Sequence, residues 1–222
     1  MFISIIIPVL NEENSIKPLL QQLQEIRQQG HEVIVVDGGS ADKTASLSEL
    51  LADKVITSSA GRAIQMNKGA SRSKNDVLWF LHADTLIPED AIKHIQQALN
   101  NKPWGRFNVH LSGKNIVFRI IGNMMNLRSC LTGIVTGDQG IFVDKLLFNK
   151  TGGFPNIPLM EDIAMSKNLN KISRPACVKV KLITSSRRWE KNGILSTVFL
   201  MWKLRFLFWI GVSADKIALQ YK

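Results

Sequence analysis

Two near-continuous aliphatic runs open the chain, one over 3–10 and one over 32–36. Between them the apolar residues Ile16, Leu19, Leu20, Leu23 and Ile26 recur at the spacing of one helix face. Strands apolar on both faces belong inside a parallel sheet covered by helices, so this order predicts a strand, helix, strand crossover. The alternation continues with a short strand over 54–57, a helix over 61–71 and a strand over 76–82. A helix then starts near Pro88, with Ile92, Ile95 and Leu99 on its inner face. Beyond Asn100 the rhythm changes. Strands are predicted over 104–111, 137–143 and 177–184 without regular helical partners, a mixed and antiparallel completion of the sheet.

The most hydrophobic stretch is 194–212, but Lys203 and Arg205 lie near its centre. Each would cost about 2.5 to 3.5 kcal/mol at the middle of a bilayer, which disfavours a span. On a helical projection Leu195, Val198, Phe199, Trp202, Phe206 and Trp209 form one stripe with the two cations at its edges. Such a helix suits a membrane interface, or packing against protein. The opening run has no basic leader or cleavage site, is too short to span a bilayer and reads as a buried first strand.

A chain of 222 residues with 45% apolar positions, 15 Gly and 7 Pro excludes disorder and collagen-like repetition. No linker or repeat divides it. The expected organisation is one α/β unit over 1–193, its halves meeting near residue 100, followed by a helical extension over 194–222. The balance of 28 Lys and Arg against 18 Asp and Glu, a net +10, predicts attraction to polyanions: nucleic acid, phosphorylated small molecules or an anionic membrane face. Cys130 and Cys177 form no zinc-spaced cluster and read as reduced thiols of a cytosolic protein.

In an open parallel sheet the ligand sits beyond the carboxyl ends of the strands. Beyond the first strand lies Pro8-Val9-Leu10-Asn11-Glu12-Glu13, beyond the second Asp37-Gly38-Gly39-Ser40, beyond the third Ser58-Ser59-Ala60-Gly61-Arg62, and beyond the fourth His82-Ala83-Asp84-Thr85. Asp84 closes an apolar run, so its carboxylate is held at a rigid strand end, suited to Mg²⁺ or Mn²⁺ bridging to a diphosphate, or to capping the helix after it. Asp37 precedes two glycines that permit a tight turn and close ligand approach. Arg62 begins a helix and can meet phosphate or a base.

These segments resemble the inverting glycosyltransferases of family 2, which have the GT-A nucleotide-diphospho-sugar fold. The resemblance rests on Ile5-Ile6-Ile7-Pro8-Val9-Leu10-Asn11-Glu12 and Val33-Ile34-Val35-Val36-Asp37-Gly38-Gly39-Ser40, and is strongest over about the first 90 residues. It implies a nucleotide pocket lined by Pro8, Val9, Glu12, Asp37 and Gly38, with Arg62, His82 and Ala83 close to the donor. It implies a divalent metal on Asp84. The family's Asp-x-Asp metal motif is His82-Ala83-Asp84 here, so its first carboxylate is missing. Gly152-Gly153-Phe154, followed by Glu161-Asp162, is similar to the family's acceptor-side motif and implies Asp162 as the base that takes the acceptor proton, with Glu161 as its neighbour or substitute. Gly137-Asp138-Gln139-Gly140 resembles the acceptor-side turn, implying Asp138 and Gln139 near the sugar or acceptor. Ser186-Arg187-Arg188-Trp189 resembles the motif of processive members, with Ser185 in place of its Gln. Arg187 or Arg188 is then a counter-charge for the departing diphosphate.

The expected protein is a glycosyltransferase that moves one sugar from a nucleotide diphosphate, with inversion, to a hydroxyl, carboxylate or phosphate acceptor, such as a lipid or polyprenyl phosphate. Its expected place is the cytoplasmic face of a membrane, bound peripherally, with no nucleic-acid partner. Two other readings fit the same residues: a nucleotidyltransferase on a related fold, and an inactive basic protein that binds anionic lipid or nucleic acid.

Overall fold

The structure, a computed structural model, describes residues 1–221. One seven-stranded sheet runs in the order β3-β2-β1-β4-β6-β5-β7. Its strands are β1 (Ile3–Val9), β2 (Glu32–Asp37), β3 (Lys54–Thr57), β4 (Val77–Phe80), β5 (Trp104–Leu111), β6 (Phe142–Asp144) and β7 (Ala176–Thr184). The helices of the first half are α1 (Glu13–Gln22), α2 (Gln24–Gln28), α3 (Thr44–Glu49), α4 (Arg62–Arg72) and α5 (Ala91–Leu99). Those of the second half are α6 (Ile116–Thr132), α7 (Lys145–Lys150), α8 (Glu161–Asn170), α9 (Arg187–Asn192), α10 (Ile194–Trp209) and α11 (Ala214–Leu219).

The first four strands are parallel, with Val9 level with Asp37 and Ile6 level with Phe80. Because side chains alternate along a strand, β1 feeds both faces of the sheet. Ile5, Ile7 and Val9 join one core with Ile16, Leu19 and Leu20 of α1 and Ile92 and Ile95 of α5. Ile6 joins the opposite core with Ala63, Met66 and Ala70 of α4 and Met165 and Leu169 of α8. Helix α4 lies close because Gly69 has no side chain; a Cβ there would stand 2.5 Å from Ile6. The result is a helix, sheet, helix sandwich whose α/β class and mainly parallel first half match the hydrophobic pattern.

The second half departs from the expectation in two ways. It is rich in helix, and α6, with 17 residues, is the longest helix among the described residues. Asn115 starts α6 by accepting the Val117 N–H at 2.9 Å, and Gly133, left-handed at φ 72°, ends it. The strand expected from residue 137 begins only at Phe142, because Gly137–Gln139 forms a single 3₁₀ turn. The sheet is mixed in this half, as expected: β6 is antiparallel to β4 and β5, while β5 and β7 run parallel.

The cysteines also differ from expectation. Cys130 at the end of α6 and Cys177 at the start of β7 are joined as a disulfide, with Cα atoms 5.9 Å apart. The pairing arises because α6 packs on the edge of the sheet formed by β5 and β7, a neighbourhood that 47 residues of separation conceal.

Candidate active site

The carboxyl ends of β1 and β2 are held together by one side chain. The Gln65 amide, from α4, donates to the carbonyls of Val9 and Val36, each at 2.8 Å. Gly38 lies against that amide and donates its N–H to Val9. Asp37, only 5% exposed, turns its carboxylate onto its own loop and accepts from the N–H groups of Gly39 and Ser40 and from the Ser40 hydroxyl. Its first task is therefore to shape the turn. Pro8 is half-buried and Val9 fully buried beside it.

After β1, Asn11 takes a left-handed conformation at φ 54° and is fixed there by bonds to Ser40 and Ala41. This turn brings Glu12 toward the end of β4. The Arg187 guanidinium of α9 joins the two segments: its Nη2 lies 3.6 Å from the Glu12 carboxylate, 3.8 Å from that of Asp84 and 3.2 Å from the Ser15 hydroxyl. Arg187 stays 62% exposed, a solvated cation over an accessible pair of carboxylates. Arg188 points elsewhere. It stacks on Tyr221 at 3.6 Å and donates to that residue's carbonyl, so it tethers the C-terminal segment instead of facing the diphosphate side.

A second group of charges assembles around the turn at Gly137. The Gly137 N–H donates to Asp162 Oδ2 at 2.8 Å, and Asp162 Oδ1 accepts from the Ile163 N–H at 2.7 Å. A Cβ on Gly137 would come within 2.7 Å of His82 Nε2, so the bare glycine lets the His82 ring and the Asp162 carboxylate flank one point of backbone. Met160, which precedes Glu161, is left-handed at φ 69°. Asn11 and Met160 are the non-glycine residues with positive φ among the described residues, and both adjoin this site; backbone strain of this kind concentrates where side chains are being aimed.

Burial governs the protonation of this group. Burial, and then the adjacent Asp162 charge, push the Glu161 carboxyl up to about 7, against the opposing pull of Arg62. Burial also raises Asp162, outweighing its two N–H donors and the charges of Arg62 and Arg128. Asp138 is raised by burial too, and its Oδ1 has no hydrogen-bond partner. His82 is pushed down to about 3 by burial and by Arg62, so its ring is neutral at physiological pH. Arg62, at the start of α4, thus acts electrostatically on His82, Asp138, Glu161 and Asp162 together.

Gln139 is not available to a ligand. It is fully buried and donates to Ser129 at 2.9 Å, inside the packing of α6. Arg128, which the sequence did not single out, is the cation that faces Asp138 and Asp162 from α6, and its Nε and Nη2 are buried without partners. Ala83 is buried in the turn after β4, where His82 lies against Gly137 and Asp84 lies toward Arg187.

The chemistry of the donor set bears on a metal. Among the described residues no three His, Cys, Asp or Glu side chains stand together as a preformed cage. Asp84 offers one accessible carboxylate, 28% exposed, and His82, two positions earlier in the chain, carries a neutral imidazole. That set fits a hard divalent ion of the kind held by one carboxylate and completed by substrate phosphates and water.

The family model for glycosyl transferase family 2 matches residues 4–130, more than half of the chain. The chain belongs to glycosyltransferase family 2. Among curated relatives it is 25% identical over 190 residues to the poly-beta-1,6-N-acetyl-D-glucosamine synthase of Staphylococcus aureus, covering 76% of this chain and 45% of that protein. It is 30% identical over 105 residues to the undecaprenyl-phosphate 4-deoxy-4-formamido-L-arabinose transferase of Pseudomonas fluorescens, covering 42% of this chain and 31% of that protein. The chain thus spans less than half the length of these relatives. In fold, this family 2 chain is similar to S. aureus TarS 1-349, with TM-score 0.70 and 18% identity over 84% of this chain and 61% of the other. It is also similar to the mannosyltransferase PcManGT of Pyrobaculum calidifontis in complex with GDP-Man and Mn²⁺, with TM-score 0.64 and 22% identity over 82% of this chain and 56% of the other. The GT-A architecture expected from the sequence is the architecture found.

Proposed function

We propose that this chain is an inverting glycosyltransferase that uses a nucleotide-diphosphate sugar. The observation that carries the proposal is the arrangement beyond the carboxyl ends of the first strands: an accessible carboxylate on Asp84 with the exposed Arg187 over it and, two residues before Asp84, His82 against the Gly137 turn that holds Asp162 of the buried pair Glu161 and Asp162. The donor side uses the ends of β1, β2 and β4: Pro8, Val9 and the turn shaped by Asp37 and Gly38 receive the nucleoside. Arg187 faces the diphosphate, and Glu12 with Asp84 holds that cation in place before substrate arrives. Asp84 would hold Mg²⁺ or Mn²⁺ together with the donor's diphosphate, where the ion offsets the negative charge of the leaving group.

The acceptor side uses Glu161 and Asp162. The acceptor oxygen attacks the anomeric carbon from the face opposite the diphosphate; the new C–O bond forms as the bond to the diphosphate oxygen breaks. A carboxylate takes the acceptor proton in the same step. Asp162 is positioned for this by the two N–H groups that fix its oxygens, and Glu161, ionising near neutrality, is the group whose protonation state tracks pH. A phosphate acceptor, already ionised, needs no base. The acceptor is lipid-linked, a reading supported by the undecaprenyl-phosphate transferase among the relatives, and the protein works peripherally at the cytoplasmic membrane face.

The test is a melting-temperature panel of nucleoside diphosphates and their sugars, with and without Mn²⁺, and then product analysis. A ligand that binds only the native state raises the melting temperature. Stabilisation by one base, a metal increment lost in Asp84→Ala, and release of nucleoside diphosphate with a sugar of inverted anomeric configuration are the expected results. Release of pyrophosphate would replace sugar transfer with nucleotidyl transfer, and a retained anomer would refute the single displacement.

A further inference from the structure

Two apolar stripes run along the outside of neighbouring helices. On α10, Leu195, Phe199, Trp202, Phe206 and Trp209 are each more than half exposed. On α6, Ile116, Ile120, Met124, Leu127 and Leu131 are likewise each more than half exposed. Both sets keep helical spacing, so each is a continuous strip along one side of its helix. The helices share one small core through their other sides, where Val117 and Met125 of α6 and Ile194 and Val198 of α10 pack around Leu111, Phe118 and Ile121. Ten large apolar side chains gathered on two adjoining helices are far beyond the scattered exposure of a soluble surface. The α10 strip is legible in the sequence, but its α6 partner emerges only from the fold, and Val198 turns out to face inward.

Charge identifies the occupant. Neither α6 nor α10 contains an Asp or Glu, while Arg119 on α6 and Lys203 on α10 are exposed beside the strips, and Lys114 and Lys191 lie just before the helices. A second copy of the chain would set these cations against one another, since the acid nearest to them in sequence, Glu190, is turned to the Ser186 hydroxyl, which donates to it at 2.9 Å. An anionic lipid surface complements them, and Trp and Phe flanked by Lys and Arg is the composition that sits at a headgroup boundary. No helix among the described residues is long and apolar enough to cross a membrane, so the contact is with the surface. At the N-terminal ends of both helices a cavity of about 550 Å³ opens between Lys114, Asn115, Phe118, Arg187, Glu190 and Ile194. Arg187 is the same residue that reaches Glu12 and Asp84, so the cavity joins the apolar face to the candidate active site.

We propose that α6 and α10 together form a docking face for an anionic phospholipid bilayer, with this cavity as the passage through which an amphiphilic acceptor reaches the site. The identity of the acceptor rests on the transferase reading above; the docking does not.

The test is co-sedimentation of the full chain with phosphatidylglycerol-containing vesicles and with pure phosphatidylcholine vesicles. Binding to the anionic vesicles, weakened by salt, is expected. Ile120→Ser/Met124→Ser/Leu127→Ser on α6 and Phe199→Ser/Trp202→Ser/Phe206→Ser on α10 should each lower that binding by on the order of tenfold or more. All six positions are exposed, and unchanged circular dichroism and donor-induced stabilisation verify folding. Wild-type binding by the α6 variant would overturn the joint face. A wild-type chain that ignores vesicles and forms a dimer dissolved by these substitutions would overturn docking in favour of self-association. Vesicle binding without any response to nucleotide sugars upholds docking and removes the transferase reading; donor binding without vesicle binding does the reverse.

Discussion

Replacing Glu161 with Gln separates the folding role of this residue from its chemistry. The side chain is 5% exposed, and its carboxyl is pushed up to about 7 from the usual 4.5 by burial and by Asp162. In the unfolded chain Glu161 loses its proton near 4.5, while the native state holds it to about 7. Between those values the native state binds more protons, so rising pH erodes stability, and above pH 7 the loss is complete. The displacement corresponds to at most about 3 kcal/mol. Glutamine keeps the shape and never ionises. Glu161→Gln should therefore match the wild type at about pH 4 and exceed it at about pH 8 by up to about 3 kcal/mol, or roughly 6–12 °C in melting temperature for a chain of this size. Urea unfolding from about pH 4 to about pH 8 gives the full profile. Transfer activity should fall in the same variant, and the wild-type rate should rise through about pH 7 as the carboxylate forms. Parallel stability curves for the two proteins across the whole pH range would refute the argument, because they would mean that Glu161 ionises natively as it does unfolded.

Asp162→Asn should lower the transfer rate by roughly 10²–10⁴-fold with donor affinity unchanged in calorimetry, since the base is removed while the fold and nucleotide pocket remain. If the acceptor is a phosphate, the loss shrinks to what positioning alone provides. Asp84→Ala should abolish the metal-dependent part of donor stabilisation in a thermal shift while leaving the metal-free melting temperature within about 2 °C, because the carboxylate is partly exposed and its cationic neighbour is solvated. Cys130→Ser/Cys177→Ser should reduce stability by about 2–4 kcal/mol in denaturant unfolding, the scale for a cross-link closing a loop of 47 residues, and reducing agent should reproduce the loss in the wild type.

The first half of the fold was legible because buried parallel strands announce themselves as unbroken apolar runs, and because the helices between them show a single inner face. Helix α6 hides from the same pattern. It has apolar residues on its inner side at Phe118 and Ile121 and on its outer side at Ile120, Met124 and Leu127, so its periodicity is blurred. Only its boundary residues, Asn115 and Gly133, carry a helix signal in the sequence. Missing α6 also meant missing Arg128, whose importance depends on the turn that α6 faces, and the disulfide that its last turn completes. In the site, Glu161, Asp162, His82 and Asp84 could be named from motifs, since each adjoins an element whose end is readable. The division between ligand-facing and structural roles could not. Gln139 and Arg188 sit in motifs as suggestive as those of Asp138 and Arg187, yet one is locked under α6 and the other stacks on Tyr221.

The outermost strand explains part of the basic character of the chain. Strand β7 lies at the edge of the sheet, where unpaired backbone groups invite another chain to add a strand. Near its far end Ile183 exchanges hydrogen bonds with Leu86, which covers that stretch. The rest is left to Lys179 and Lys181, both exposed and alternating with inward apolar residues. Their ammonium groups repel an approaching copy and keep the strand from seeding aggregates, so some of the positive charge answers to solubility and not to any ligand.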